Sequence, residues 1–108
     1  MTVNDALPTE TTVMDALRQV EDPELGMDIV EIGLIYGVEY PDDTPGTVRL
    51  KYSLTSPACP AGPEITQNMV DCVRALPGVE HVEPELVWDP AWTPDRMSED
   101  AKFILGIG

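Results

Sequence analysis

The residue with the clearest chemical potential is Cys59, in 55-TSPACPAGPEI-65, held between two prolines where a strand-like run gives way to a helix-like one. A cysteine acts as a nucleophile or metal ligand only as its thiolate. If Pro60 is the first helical residue, Cys59 occupies the helix N-cap, where the partial positive charge of the helix terminus favours the thiolate. The acidic residues Asp22, Glu24, Asp28, Glu64 and Asp89 act in the opposite sense if they lie nearby, because negative charge raises a thiol pKa. Spacing alone leaves a poised thiol and an inert loop cysteine both open.

The rest of the chain offers this thiol few partners. Cys72 falls 13 residues later on the apolar stripe of the same helix, and reads as core filler. At helical rise that is roughly 20 Å, too far for an intrachain disulfide. His81, the single histidine, opens a strand at the far end of that helix, again roughly 20 Å away, and reads as a strand-edge histidine rather than a base for Cys59. No CxxC occurs, so four Cys and His ligands for zinc cannot be assembled. The expectation is therefore a protein that is not a self-contained thiol enzyme.

The elements that position Cys59 follow from hydrophobic spacing. Thr12, with Asp15 three residues on, reads as the cap of a first helix whose stripe is Val13, Ala16, Leu17 and Val20. Asp22-Pro23 stops it, and 21-EDPELGMD-28 reads as a loop. Residues 29–40 are rich in β-formers and read as the first strand, with Gly33 and Gly37 marking a bulge or close packing. After the turn 41-PDDTPG-46, residues 47–54 alternate: Val48, Leu50, Tyr52 and Leu54 face one way, Arg49, Lys51 and Ser53 the other. A second helix spans 61–76 with Ala61, Ile65, Met69, Cys72, Val73 and Leu76 on one face, ended by Pro77-Gly78. A third strand covers 80–88, with Val82, Leu86 and Trp88 inward and Pro84 marking an edge or bulge. Thr93-Pro94 opens a short helical turn and Ser98 caps another through Lys102.

The order α-β-β-α-β with a C-terminal helical tail predicts an α+β fold, a two-layer sandwich on a small mixed sheet. The hairpin and the crossover together bring three segments to one sheet edge: Asp22-Pro23-Glu24 with Asp28; Thr55 through Cys59 and Pro60; and 88-WDPAW-92. Cys59, Thr55, Asp22, Glu24, Asp28 and Asp89 thus form the candidate site, lined by Pro60, Trp88 and Trp92. By alternation with Leu86, Trp88 also reads as core. Trp92 either folds over the site or pins the tail, and Met97 pins the tail.

Composition bounds the function class. At 108 residues the chain suits one domain, read as a disordered tail over 1–10 and a single domain over 11–108. Six Lys and Arg against 20 Asp and Glu give a net charge of −14, which repels phosphate backbones and anionic lipid. Nucleic acid and membranes are therefore not expected as partners. Solubility or a salt-adapted proteome is the plain reason for such acidity. The two cysteines do not make a disulfide framework, and 1-MTVNDALPTE-10 lacks the features of a signal peptide, so the expected location is cytoplasmic.

The segments 22-DPELGMDIVEIGLIYGV-38, Thr55…Cys59-Pro60, 76-LPGV-79 and 86-LVWDPAWTPDRMSEDAKFILGI-107 resemble the SufT-like iron–sulfur cluster assembly family. The eukaryotic cytosolic iron–sulfur targeting factor is a relative. The resemblance covers nearly all of the chain from Thr12 onward, and its motifs are specific in combination. It implies the fold of the iron–sulfur assembly domain and a role in maturing iron–sulfur proteins. The family's reactive cysteine maps onto Cys59, its acidic motif onto Asp22-Pro23-Glu24 and its threonine onto Thr55. An iron–sulfur cluster or iron would be handled transiently, with none stably bound. Partners would be assembly proteins and apo client proteins, with a homodimer as one way to bring a second Cys59. The phenylacetate-oxygenase accessory branch is similar but carries a C-terminal cysteine-rich segment, which 105-LGIG-108 does not supply. Pro84 departs from the family's third strand and puts that strand's regularity in question.

Overall fold

The computed structural model describes residues 7–55 and 60–106. Helix α1 (Glu10–Leu17) is capped by Thr9, whose side chain accepts from the Thr12 amide, so the cap falls three residues before the expected Thr12. The domain's contacts reach back to Leu7, packed against the core, and to Pro8, whose carbonyl accepts from the Tyr40 hydroxyl at 2.8 Å.

The expected loop at 21–28 is a miniature hairpin, β1 (Glu21–Asp22) paired antiparallel with β2 (Met27–Asp28). Asp22 builds its turn: the backbone oxygen accepts from Leu25 and Gly26, and Oδ1 accepts from the Glu24 amide at 2.8 Å.

The largest departure from expectation is at 29–34. Ile29–Ile32 is one turn of helix, α2, not the start of a strand. The Asp28 carboxylate caps it, Oδ1 accepting from the amides of Val30 and Glu31 at 3.0 and 2.9 Å. Gly33 ends it in the left-handed region at φ 85. A cap at each end outweighs the β propensity of the isoleucines and valine between. Strand β3 (Ile35–Glu39) begins only afterwards.

β3 pairs antiparallel with β4 (Thr47–Tyr52), with a register shift between Ile35 and Gly37, where a bulge was anticipated. α3 (Gly62–Arg74) carries the chain over one face, and β5 (His81–Leu86) returns parallel to β4. The order β3-β4-β5 makes a mixed sheet, as the crossover argument required. Pro84 pairs with Leu50 in unbroken register, tolerated because β5 is an edge strand.

Val48, Leu50 and Tyr52 of β4 meet Val13 and Leu17 of α1 and Ile65, Met69 and Val73 of α3 in one core, all buried. The opposite face is wet and charged: Arg49 bridges Glu39 and Glu83, and Lys51 pairs with Glu39. This is a two-layer α+β sandwich. Ser53 lies on the charged-face side of the alternation yet is fully buried. Cys72 is half-buried against the core, and burial, reinforced by Asp71, pushes its thiol pKa up, which suits filler. His81 is exposed at the start of β5.

The C-terminal tail closes back on α2. A 3-10 turn (Pro94–Arg96) begins at the expected proline, and α4 (Glu99–Leu105) is capped by Ser98. Ser98 also donates through Oγ to Glu31 at 2.7 Å, and Glu31 accepts from Arg18 at 2.9 Å, so one carboxylate joins α1, α2 and α4. These two hydrogen bonds, the Arg18 one larger, hold the Glu31 carboxyl below its usual range.

Candidate functional site

The site lies where the strands end. Ile35, Tyr52 and Leu86 form one row across the sheet, at the start of β3 and the ends of β4 and β5. Beyond that row the chain leaves β4 through Ser53, Leu54 and Thr55, with the Ser53 amide bonded to the Leu34 carbonyl at 2.9 Å. The chain leaving β5 turns across the same end. Val87 donates to the Tyr52 carbonyl at 2.8 Å, Tyr36 donates to the Pro90 carbonyl at 2.7 Å, and the Trp92 indole donates to the Ile32 carbonyl at 2.9 Å. The Asp89–Pro90 peptide bond is cis. Arg96 then stacks on the Tyr36 ring, 3.8 Å from its centroid.

The segment 88–92 therefore meets the ends of β3 and β4. The Asp22–Asp28 hairpin joins the same region through α2: Asp28 caps one end of this single turn and Trp92 binds the other, about 6 Å along its axis. Cys59 lies outside the described residues, so its distance to Asp22 or Asp89 is not part of this geometry. Pro60 is exposed and is not the first helical residue as expected: α3 begins at Gly62 and its cap position is Ala61, so the helix-terminus argument for a thiolate at Cys59 does not hold.

The acidic candidates differ in what they do. Asp28 is engaged in capping α2. Asp22 is fully buried; Oδ1 holds the turn, while Oδ2 has no hydrogen-bond partner among the described residues. A buried carboxylate oxygen left unpaired is costly and marks a position where a further donor or cation would be favourable. The hydroxyl of Ser53 is a second buried oxygen without a partner among the described residues. Glu24 and Asp89 are exposed. Among the described residues no three His, Cys, Asp or Glu side chains form a group that could hold a metal ion.

Trp88 departs from its expected core position, being 43% exposed, as is Leu86 at 40%. The helix-facing side of β5 is incompletely covered, because β5 is the edge strand. The two side chains instead line a cleft of about 470 Å³ between β5 and the start of α3, with Leu54, Gly62, Pro63, Thr66 and Gln67 completing it. The chain runs from the cleft wall at Leu54 into the segment holding Cys59 and rejoins the wall at Gly62. Thr66 is fixed by a 2.7 Å hydrogen bond with the buried Tyr52 hydroxyl. Trp92, by contrast, is half-buried and pins the tail, and Met97 is buried. The cleft was not anticipated from sequence; Pro63, Thr66 and Gln67 lie beside the apolar stripe of α3 and have no pattern that sets them apart.

An α+β domain with a mixed three-stranded sheet and a cleft at the strand ends is the class these features define. The profile of the family described as "Iron-sulfur cluster assembly protein" matches residues 10–83. The chain belongs to that family. It is 45% identical over 95 residues to the "Fe-S protein maturation auxiliary factor YitW" of Bacillus subtilis, covering 88% of this chain and 91% of that one. It is 42% identical over 88 residues to the "Fe-S protein maturation auxiliary factor SufT" of Staphylococcus aureus, covering 82% and 98%. The crystal structure of a domain of unknown function from Bacillus anthracis superposes with a TM-score of 0.83 at 35% identity, covering 92% of both chains.

Proposed function

We propose that this protein is a maturation factor for iron–sulfur proteins that handles iron or a cluster transiently as cargo and passes it to apo clients, without enzymatic turnover. The observation that carries this reading is its similarity, over most of both chains, to two factors named for iron–sulfur protein maturation. Within the chain, Cys59 is the proposed sulfur ligand and Thr55 its neighbour on the strand side. Clusters are usually held by four cysteine thiolates, so one thiolate must be completed from elsewhere. The sources are a carboxylate such as Asp22 or Glu24, Cys59 of a second subunit, or cysteines of the client. Oδ2 of Asp22, buried and without a partner among the described residues, makes it the strongest of the carboxylates. The proposed setting is the cytoplasm. No helix among the described residues is long and apolar enough to cross a membrane.

Anaerobic reconstitution with iron and sulfide, on wild type and Cys59→Ala, tests the cargo step. Cys59→Ala should lose the absorbance and the bound iron. Equal spectra and iron content in both would refute ligation by Cys59. The exposed apolar cleft favours a second reading, a metal-free adaptor that only gathers assembly proteins and clients. Under that reading Cys59→Ser would restore iron–sulfur enzyme activity fully in cells lacking the protein; under ours it behaves as a null.

A further inference from the structure

The cleft between β5 and α3 has a chemistry that the cluster-handling reading does not use. On the sheet, Val82, Pro84 and Leu86 share the face of Val48, Leu50 and Tyr52, and exposure rises from half-buried Val82 to Leu86 at 40% and Trp88 at 43%. Opposite, α3 presents Pro63 and Thr66 beside Gln67. The volume of about 470 Å³ is within the range of about 300–1,000 Å³ typical of ligand and anchor pockets. A large, solvent-facing tryptophan beside a leucine at a concave site has the composition of an interface anchor.

The charge around it is one-sided. Of the six cations, Arg18, Arg49, Lys51 and Lys102 are held in ion pairs within the chain and Arg96 lies on the Tyr36 ring. Arg74 sits in the last turn of α3, roughly 16 Å along the axis from Pro63. Next to lining residues in the chain stand Glu64, which follows Pro63 in the first turn of α3, and Asp89, which follows Trp88. Both are exposed, and neither takes part in an ion pair among the described residues. The N-terminus of α3 contributes about half a positive charge, which Glu64 in that same turn offsets. With a net charge of −14, a second copy of this chain is repelled from such a cleft.

We propose that this cleft docks a segment of a partner protein that presents one large apolar side chain flanked by lysines or arginines. The inference extends the maturation reading by giving the chemistry of the partner that the domain holds while Cys59 acts. The apolar anchor would fill the space between Leu54, Leu86 and Trp88, and the flanking cations would meet Glu64 and Asp89. Complementary rim charge of this kind speeds encounter and selects against acidic competitors.

The test uses the purified metal-free protein and three synthetic peptides: Lys-Lys-Leu-Phe-Lys-Lys, Glu-Glu-Leu-Phe-Glu-Glu and Lys-Lys-Ser-Ser-Lys-Lys. Binding is read by tryptophan fluorescence and by amide shifts of Leu54, Gly62, Thr66 and Leu86. The basic apolar peptide should bind at least about tenfold more tightly than either control, and Trp88→Ala or Leu86→Ser should each weaken it by about tenfold. Raising salt from about 50 to about 500 mM, or substituting Glu64→Lys with Asp89→Lys, should weaken it severalfold. Cys59→Ala should bind like wild type, so loss of peptide binding and loss of cluster binding report on separate ideas. Equal binding of the acidic peptide, binding unchanged in the cleft variants, or no binding up to about 1 mM would each overturn the proposal. So would a dimer in solution that Leu86→Ser dissociates, since the occupant would then be a second copy.

Discussion

Replacing Gly33 by alanine tests the docking of the C-terminal tail on α2. Gly33 has φ +85, and a Cβ built there would stand 2.2 Å from the Arg96 carbonyl oxygen and 2.7 Å from its carbon. Two costs follow. A non-glycine residue in the left-handed region costs about 1 kcal/mol. The Arg96 backbone must also retreat, which strains or breaks the Trp92 bond to Ile32, worth about 1 kcal/mol, and the Arg96–Tyr36 stacking, worth about 0.5–1 kcal/mol. The expected total is about 2–4 kcal/mol, at the upper end of what single substitutions ordinarily cost. In a domain of this size that lowers Tm by about 10–20 °C. Gly26→Ala is the control: its φ is +70 but nothing lies within 4 Å of its Cβ position, so it should lose only about 1 kcal/mol. Urea unfolding of the two variants measures the difference directly. If they agree within about 0.5 kcal/mol, the close approach of Arg96 to Gly33 does not hold the tail and the reasoning is wrong.

Other outcomes follow from single interactions. The lowered pKa of Glu31, caused first by the Arg18 hydrogen bond, means the pair stabilises the fold above the unfolded carboxylate pKa of about 4.3 and stops doing so as pH falls through the lower folded value. Arg18→Met should therefore lose about 0.5 kcal/mol at pH near 7 in urea titrations and match wild type in strong acid. Tyr52→Phe, which removes the bond to Thr66, should lower unfolding free energy by about 1 kcal/mol, measured the same way. Ser98→Ala removes the cap of α4 and should cost about 1 kcal/mol. In a Cys59→Ala background, alkylation of Cys72 should be slow near neutral pH and accelerate only above the ordinary thiol range of about 8.5, because burial holds the thiol protonated.

The reach of the sequence is clearest in β4 and α3. Strict alternation from Val48 to Tyr52 and the helical spacing of Ile65, Met69 and Val73 gave their buried faces correctly, because each pattern has one face for one core. The strand pairing followed from the hairpin turn and the crossover, and with it the meeting of the 88–92 segment with the ends of β3 and β4. What failed did so where short polar groups overrode propensity. Asp28 and Gly33 turned a β-rich run into a helical turn, and Thr9 rather than Thr12 captured the first cap. Trp88 obeyed its alternation but not its expected burial. Period tells which face a residue takes; it does not tell whether the neighbouring helix extends over an edge strand. The contacts of Arg96 with Tyr36 and Gly33 join positions far apart in the chain and leave no local signature.

The position of β4 between two partners also orders the domain in time. Its backbone is bonded to β3 on one side and β5 on the other, and Tyr52 and Ser53 continue that bonding to Val87 and Leu34. Amides in such a strand exchange with solvent only when the whole domain opens, whereas a one-turn helix or a terminal helix opens locally. Thr55 therefore extends from the strand expected to exchange slowest among the described residues, and the tail that crosses the strand ends is expected to exchange faster. In hydrogen exchange the stalk of the site should outlast its clasp, so the tail can detach and return many times while the root of the site stays folded.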